Sequence, residues 1–140
     1  MDYPQLKLDK QICHRLYMAS NRIIRSYREP LEALGLTYPQ YIVMMALWEK
    51  DGITIAELLE KTAIDGGAMT QILKKMTDKS LLSIVKSEED KRKRFIKLET
   101  HGRELRHQAA GIPAQIQCSF SDISEQEAQQ LIMLLDKINR

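Results

Sequence analysis

Two cysteines, five tyrosines and three histidines are the residues of this chain with the most chemistry to offer, and Cys13 has the most suggestive neighbours. In the stretch Leu8 to Tyr27, LDKQICHRLYMASNRIIRSY, it is followed by Leu16 and Tyr17 at three and four residues, so in a helix all three share a face. A reactive thiol needs a stabilised thiolate, and phenol hydroxyls such as those of Tyr17 and Tyr27 can donate hydrogen bonds to the sulfur. Local charge is no guide, since Lys10 and Asp9 precede the cysteine by three and four residues and oppose each other. The competing reading makes Cys13 a small buried hydrophobe beside an apolar stripe of Ile12, Leu16, Ala19, Ile23 and Ile24. Spacing alone favours that inert role. A metal site from Cys13, His14, His101 and His107 matches no common ligand spacing, so no metal or cofactor is expected.

The elements that must position these residues are largely helical. The first helix is expected from about Leu8 to Arg28, stopping at Glu29 because Pro30 disfavours helical geometry in the residue before it. Gly35 can end the turn that follows. Thr37-Tyr38-Pro39-Gln40 is a helix start with a capping box, opening an apolar helix, YPQYIVMMALWEK, that Asp51-Gly52 ends. Ile53-Thr54 reads as a short strand. Thr54 to Glu57 is a second capping box for a helix to Glu60 or Lys61, and a turn leads to another helix from Gly66 or Gly67 to about Lys79. Leu82 to Lys86 and Arg94 to Leu98 are β-prone segments flanking the charged tip SEEDKRK. A helix runs from Arg103 toward Ala110 and is bent or interrupted at Gly111-Ile112-Pro113. Ser124 to Glu127 caps a last helix with Leu131, Leu134, Leu135 and Ile138 on one stripe.

Two helices, a tight turn between them and a basic-tipped hairpin form a winged helix-turn-helix. The predicted fold class is therefore mainly α with a small β-hairpin wing. Residues 1–140 read as one domain, with 37–102 as the winged helix-turn-helix; 1–36 and 103–140 supply N- and C-terminal helices that form a dimerisation region. Charge supports a polyanionic partner. From Gln71 to His107 eleven lysines and arginines stand against six acids, leaving +5 there and −3 in the rest of a chain whose net charge is +2. For Lys74, Lys75 and Lys79 alone, a solvated helix face is an equally good explanation. Double-stranded DNA is the expected partner, with phosphate contacts from Lys91 to Arg94 at the wing. No apolar run suits a membrane span and no secretory signal is apparent, so a cytoplasmic location with reduced cysteines is expected.

With these elements in order, the chain resembles the MarR family of bacterial winged-helix regulators, and within it the OhrR-type branch that senses organic hydroperoxides. The resemblance spans essentially the whole chain and rests on LDKQICHRLY, LEALGLTYPQYIVMMALWE and SEEDKR, with Asp90-Lys91-Arg92 matching the D-x-R of the family's wing. It implies a homodimer straddling a pseudopalindromic operator. It implies that Arg92 enters the minor groove, oriented by Asp90, and that Thr70, Gln71, Lys74 and Lys75 face the major groove, with Lys91 and Arg94 beside Arg92. It also implies that Cys13 is oxidised to sulfenic acid, with Tyr17 and Tyr27 holding its sulfur across the dimer and Tyr38 in the same sensor pocket. Cys118 lies in a region similar to that in which two-cysteine members carry a resolving cysteine for the sensing cysteine of the other subunit; a spare thiol is the equal alternative, since sequence separation says nothing about geometry.

The recognition helix departs from that branch. Where the branch usually reads DSGTLTP, Asp65 to Gln71 reads DGGAMTQ, which removes two hydroxyls and replaces a proline with Gln71, a side chain suited to an adenine edge. The function expected is a DNA-binding transcriptional regulator, a repressor released when Cys13 is oxidised by an organic hydroperoxide or related oxidant, and not an enzyme. The first alternative is release by a small phenolic or apolar inducer without redox chemistry. A thiol peroxidase is the second, distinguished by multiple turnover with a thiol reductant.

Overall fold

The computed structural model describes residues 1–140. Two 3-10 turns, Pro4–Leu6 and Leu8–Lys10, lead into α1, Ile12–Glu32. This helix starts later than its apolar pattern predicts and runs past Pro30 instead of stopping at Glu29. Proline removes the amide that would bond the Ser26 carbonyl, but only two residues from the helix end. Continuing the helix carries Leu31 into the core, where it is 2% exposed, a burial that stabilises by about 1.5–3 kcal/mol. Packing therefore overrides the local preference. The helix then closes on a left-handed glycine: Gly35, at φ +70°, donates to the Glu32 carbonyl and Leu36 to the Leu31 carbonyl, both at 3.0 Å.

α2, Tyr38–Glu49, opens with the predicted box, in which Gln40 N donates to Thr37 Oγ1 at 3.4 Å and Thr37 N to Gln40 Oε1 at 3.2 Å. Being apolar nearly all round, it runs through the core on Tyr41, Val43, Met44 and Leu47. The Asp51 carboxylate accepts from Gly52 N and Leu98 N, which ties the end of α2 to the third strand. β1, Ile53–Thr54, leads into α3, Ile55–Thr62, whose cap is the threonine half of the expected box, with Glu57 left in solvent. α4, Gly66–Asp78, is capped by Asp65, which accepts from Gly67 N and Ala68 N.

β2, Leu82–Lys86, and β3, Arg94–Leu98, match the predicted hairpin and form an antiparallel sheet with β1 in the order β1-β3-β2. α5, Thr100–Ala109, begins three residues before the expected Arg103 and takes Gly102 into its first turn. There the glycine is required by contact, since a Cβ at Gly102 would run into the Leu81 carbonyl. Its own carbonyl accepts from Trp48 Nε1 at 2.9 Å. The fold is the expected winged helix-turn-helix.

By compactness the chain divides into Met1–Ala110 and Gly111–Arg140. The first unit holds the core built on Met44, Leu58, Met69, Leu73 and Leu82. The second contains α6, Ile112–Cys118, with Pro113 in its first turn, and α7, Glu125–Ile138, which opens with the predicted Ser124–Glu127 box. That box holds the Glu127 carboxyl below its ordinary pKa, through hydrogen bonds from the Ser124 backbone and then its side chain. No helix is long and apolar enough to cross a membrane.

Candidate functional site

α4 is a two-faced helix. Met69, Leu73 and Met76 anchor it in the core, so Thr70, Gln71, Lys74 and Lys75 are all turned to solvent. Thr70 spends its hydroxyl proton on the Gly66 carbonyl at 3.0 Å. Its oxygen thus meets an approaching ligand as an acceptor only. At the wing, Asp90 Oδ1 accepts from Arg92 N at 3.0 Å and lies 3.7 Å from Arg92 Nε, while the Arg92 side chain is 95% exposed. The turn is closed by Lys93 N donating to the Asp90 carbonyl and Ser87 N to the Lys93 carbonyl. Asp90 thus folds the tip and presents one guanidinium, with Lys91 and Arg94 exposed beside it.

The cysteine and tyrosine residues divide into two groups. Cys13 is exposed and free, as is Cys118 on α6. Tyr17, one turn after Cys13 on α1, is 66% exposed. Tyr27 and Tyr38 instead pack against each other, their ring centroids 4.8 Å apart and their planes tilted by 48°, and Tyr41 joins them at 5.6 Å and 6.4 Å. Burial, reinforced by Tyr38 and then Tyr41, pushes the Tyr27 phenol up to about 12. The Tyr41 phenol is also raised, by burial and then by Tyr38. At neutral pH both remain protonated donors. Beside Tyr27 and Tyr38 lies a cavity of about 260 Å³, also lined by Ile24, Arg28, Leu31, Glu32, Leu36 and Thr37.

Comparison with known proteins agrees with this architecture. Residues 25–109 match the family model described as transcriptional regulator SarA/Rot. The chain is 34% identical over 129 residues to the organic hydroperoxide resistance transcriptional regulator of Bacillus subtilis, covering 92% of this chain and 87% of that one. The chain belongs to the MarR family of winged-helix, DNA-binding transcriptional regulators. A second relative, the HTH-type transcriptional regulator SarZ of Staphylococcus epidermidis, is 33% identical over 125 residues, with 89% of this chain and 84% of the relative covered. Among solved structures, reduced AbfR of Staphylococcus epidermidis bound to DNA superposes with a TM-score of 0.80 at 23% identity, over 96% of this chain and 93% of AbfR.

The residues expected to face DNA lie on two exposed elements, α4 and the β2-β3 tip, within the unit Met1–Ala110. Tyr27 and Tyr38 are gathered into one cluster, but Cys13 and Tyr17 are not part of it. Tyr41 is the member that sequence reading missed. Its signal was available, because it follows Tyr38 by three residues at the start of a helix. No group of three or more histidine, cysteine or acidic side chains is arranged to hold a metal ion.

Proposed function

We propose that this protein is a dimeric repressor that reads a pseudopalindromic operator and releases it when Cys13 is oxidised by an organic hydroperoxide or a related oxidant. The observation that carries the reading is the geometry of α1. Cys13 and Tyr27 lie fourteen residues apart on one helix, which separates them by about 21 Å along its axis at 1.5 Å per residue. No cysteine and tyrosine side chain bridge that gap. A thiolate held by Tyr17 and Tyr27 therefore calls for Cys13 of one copy against the tyrosines of another.

Exposed apolar side chains support a second copy. Ile12 on α1 is 70% exposed, and Leu134 and Ile138 on α7 are 56% and 58% exposed. Burying what remains exposed of each such side chain favours association by a fraction of the roughly 1.5–3 kcal/mol that a fully exposed one would give. In the assembled site, the thiolate attacks the terminal peroxide oxygen. A sulfur–oxygen bond forms as the oxygen–oxygen bond breaks, sulfur loses two electrons, and the alkoxide takes a proton from water to leave as the alcohol. Cys118 of the partner then resolves the sulfenic acid to a disulfide with loss of water.

On the DNA side, Gln71 reads an adenine edge and Thr70 accepts from a base amine, with Lys74 and Lys75 beside them. Arg92 enters the minor groove from the Asp90 turn, and Lys91 and Arg94 contact phosphates. Oxidation alters the spacing of the two α4 helices, which requires only a few kcal/mol of difference between dimer states. The test is mass spectrometry of the protein with and without stoichiometric cumene hydroperoxide, alongside binding to a duplex selected from a random library. Cys13→Ser is expected to bind that duplex normally and to resist release; a variant still released by the oxidant refutes the sensing role. The cavity beside Tyr27 and Tyr38 favours a second reading, release by a small phenolic or apolar inducer. Release of the Cys13→Ser protein by such a molecule would establish it.

A further inference from the structure

We infer that Lys79, at the C-terminal end of α4, is a positioning residue that couples the tyrosine-lined cavity to the DNA-reading helix by clamping the turn between α1 and α2. In sequence it groups with Lys74 and Lys75 as part of a solvated basic face. In the fold it does something different. Its Nζ donates to the Gly35 carbonyl at 2.6 Å and to Gln40 Oε1 at 3.0 Å.

Both acceptors matter. Gln40 is 3% exposed and is the one buried polar side chain in the chain, so its oxygen must be satisfied within the protein. That oxygen also accepts from Thr37 N, the bond that caps α2. One amide oxygen thus receives the start of the α2 helix and the end of the α4 helix together. Gly35 is the left-handed residue that closes α1. Between these two acceptors run Leu36, Thr37 and Tyr38, which form one wall of the 260 Å³ cavity. The turn is consequently a cavity wall on one side and the socket for Lys79 on the other.

An event that moves Tyr38 or Thr37 displaces the Gly35 carbonyl and Gln40 Oε1 with them. Lys79 transmits that displacement to the last turn of α4, the helix that exposes Thr70, Gln71, Lys74 and Lys75. A lysine stem loses considerable rotamer freedom when held at both ends of such a contact. This cost is understandable if the contact carries a signal, and Lys79 is then absent from the phosphate-binding set. The inference rests on the proposed sensing role of the Cys13 and tyrosine site.

The experiment compares wild type, Lys79→Met and Lys79→Arg, each full length, on a duplex selected by the reduced wild-type protein, before and after cumene hydroperoxide. Amide hydrogen exchange is measured on the reduced proteins without DNA. Lys79→Met is expected to bind the duplex within about threefold of wild type when reduced and to lose at least about tenfold of the oxidant-driven change in affinity. Lys79→Arg, which keeps a cationic donor, is expected to restore it. Exchange should rise in Lys79→Met both at residues 35–40 and in the last turn of α4. A wild-type oxidant response in Lys79→Met overturns the coupling. So does a loss of reduced-state binding with a salt slope shallower by about one, which would make Lys79 a phosphate contact. If wild type itself ignores the hydroperoxide, the sensing role of Cys13 fails. The exchange data then decide the clamp separately, and unchanged protection at either segment refutes it.

Discussion

The shared site can be tested by asking which tyrosine each cysteine uses. Tyr27→Phe removes one hydroxyl and leaves the ring packed against Tyr38 and Tyr41. A hydrogen bond to a charged group contributes about 1.5–3 kcal/mol, a factor of roughly 10 to 100 in the weight of the sulfur anion it stabilises. A sulfur anion freed of that bond is also a better nucleophile, which offsets part of the loss. The net expectation is alkylation of Cys13 by iodoacetamide slowed about 3- to 12-fold in the Tyr27→Phe homodimer. All measurements use a Cys118→Ser background, so that Cys13 is the sole thiol. The decisive sample is a heterodimer of one Cys13→Ser chain and one Tyr27→Phe chain. Its single Cys13 lies on the chain lacking the Tyr27 hydroxyl but faces an intact Tyr27 on the other. If the site is shared, this cysteine reacts at the wild-type rate. Slow alkylation equal to that of the Tyr27→Phe homodimer would refute the argument from the length of α1.

Four further outcomes are expected. Gly102→Ala should destabilise the fold by about 1–3 kcal/mol, because the new methyl meets Leu81 backbone and overpacks the contact; thermal unfolding should show a drop of roughly 4 °C per kcal/mol. Arg92→Ala should weaken duplex binding and make the salt dependence shallower by about one per subunit, whereas Asp90→Ala, which loses the hydrogen bond from Arg92 N that folds the tip as well as an exposed ion pair worth about 0–1 kcal/mol, should weaken binding and keep the slope. Leu134→Asp should shift the protein toward monomer in sedimentation velocity, since Leu134 is half exposed in the single chain; an unchanged dimer would place the interface elsewhere. Ultraviolet titration should find a tyrosine ionising near 12. Because that folded pKa lies above the ordinary value of 10.0, the stabilisation it reflects is complete below pH 10 and is lost as pH rises toward 12.

Much of this was legible in the chain because local rules and packing agree. Capping boxes at Thr37 and Ser124, the strand pair Leu82–Lys86 and Arg94–Leu98, and the start of α4 at Gly66 depend on neighbours within a few residues. Two misread helix boundaries share one cause. Pro30 and Gly102 both look like helix boundaries, yet Leu31 needs the helix to continue into the core and Gly102 is required by the approach of Leu81. Neither partner is visible from local pattern. The same holds for Lys79, whose acceptors lie about forty residues earlier in the chain. The site was readable in its residue types but not in its grouping, since Tyr41 joins the cluster through ring packing.

The energetic scale of the clamp also bears on how such a small protein can switch. Allosteric coupling of 5- to 150-fold needs only about 1–3 kcal/mol. Two hydrogen bonds from one ammonium, with the Gly35 contact exposed and the Gln40 contact partly buried, fall in that same range once solvent competition is allowed for. A stronger link would lock α4 and leave the operator affinity insensitive to the cavity. A weaker one would let Tyr38 move without consequence. The core offers no obvious substitute, because Met69, Leu73 and Met76 anchor α4 through apolar contacts that have no directional preference at the turn. Gln40 supplies that direction: its single oxygen serves both the α2 cap and Lys79, so strain on one bond is felt at once by the other. Replacing Gln40 with Glu is therefore expected to tighten the Lys79 contact and blunt oxidant release, while Gln40→Leu should loosen both the cap and the response.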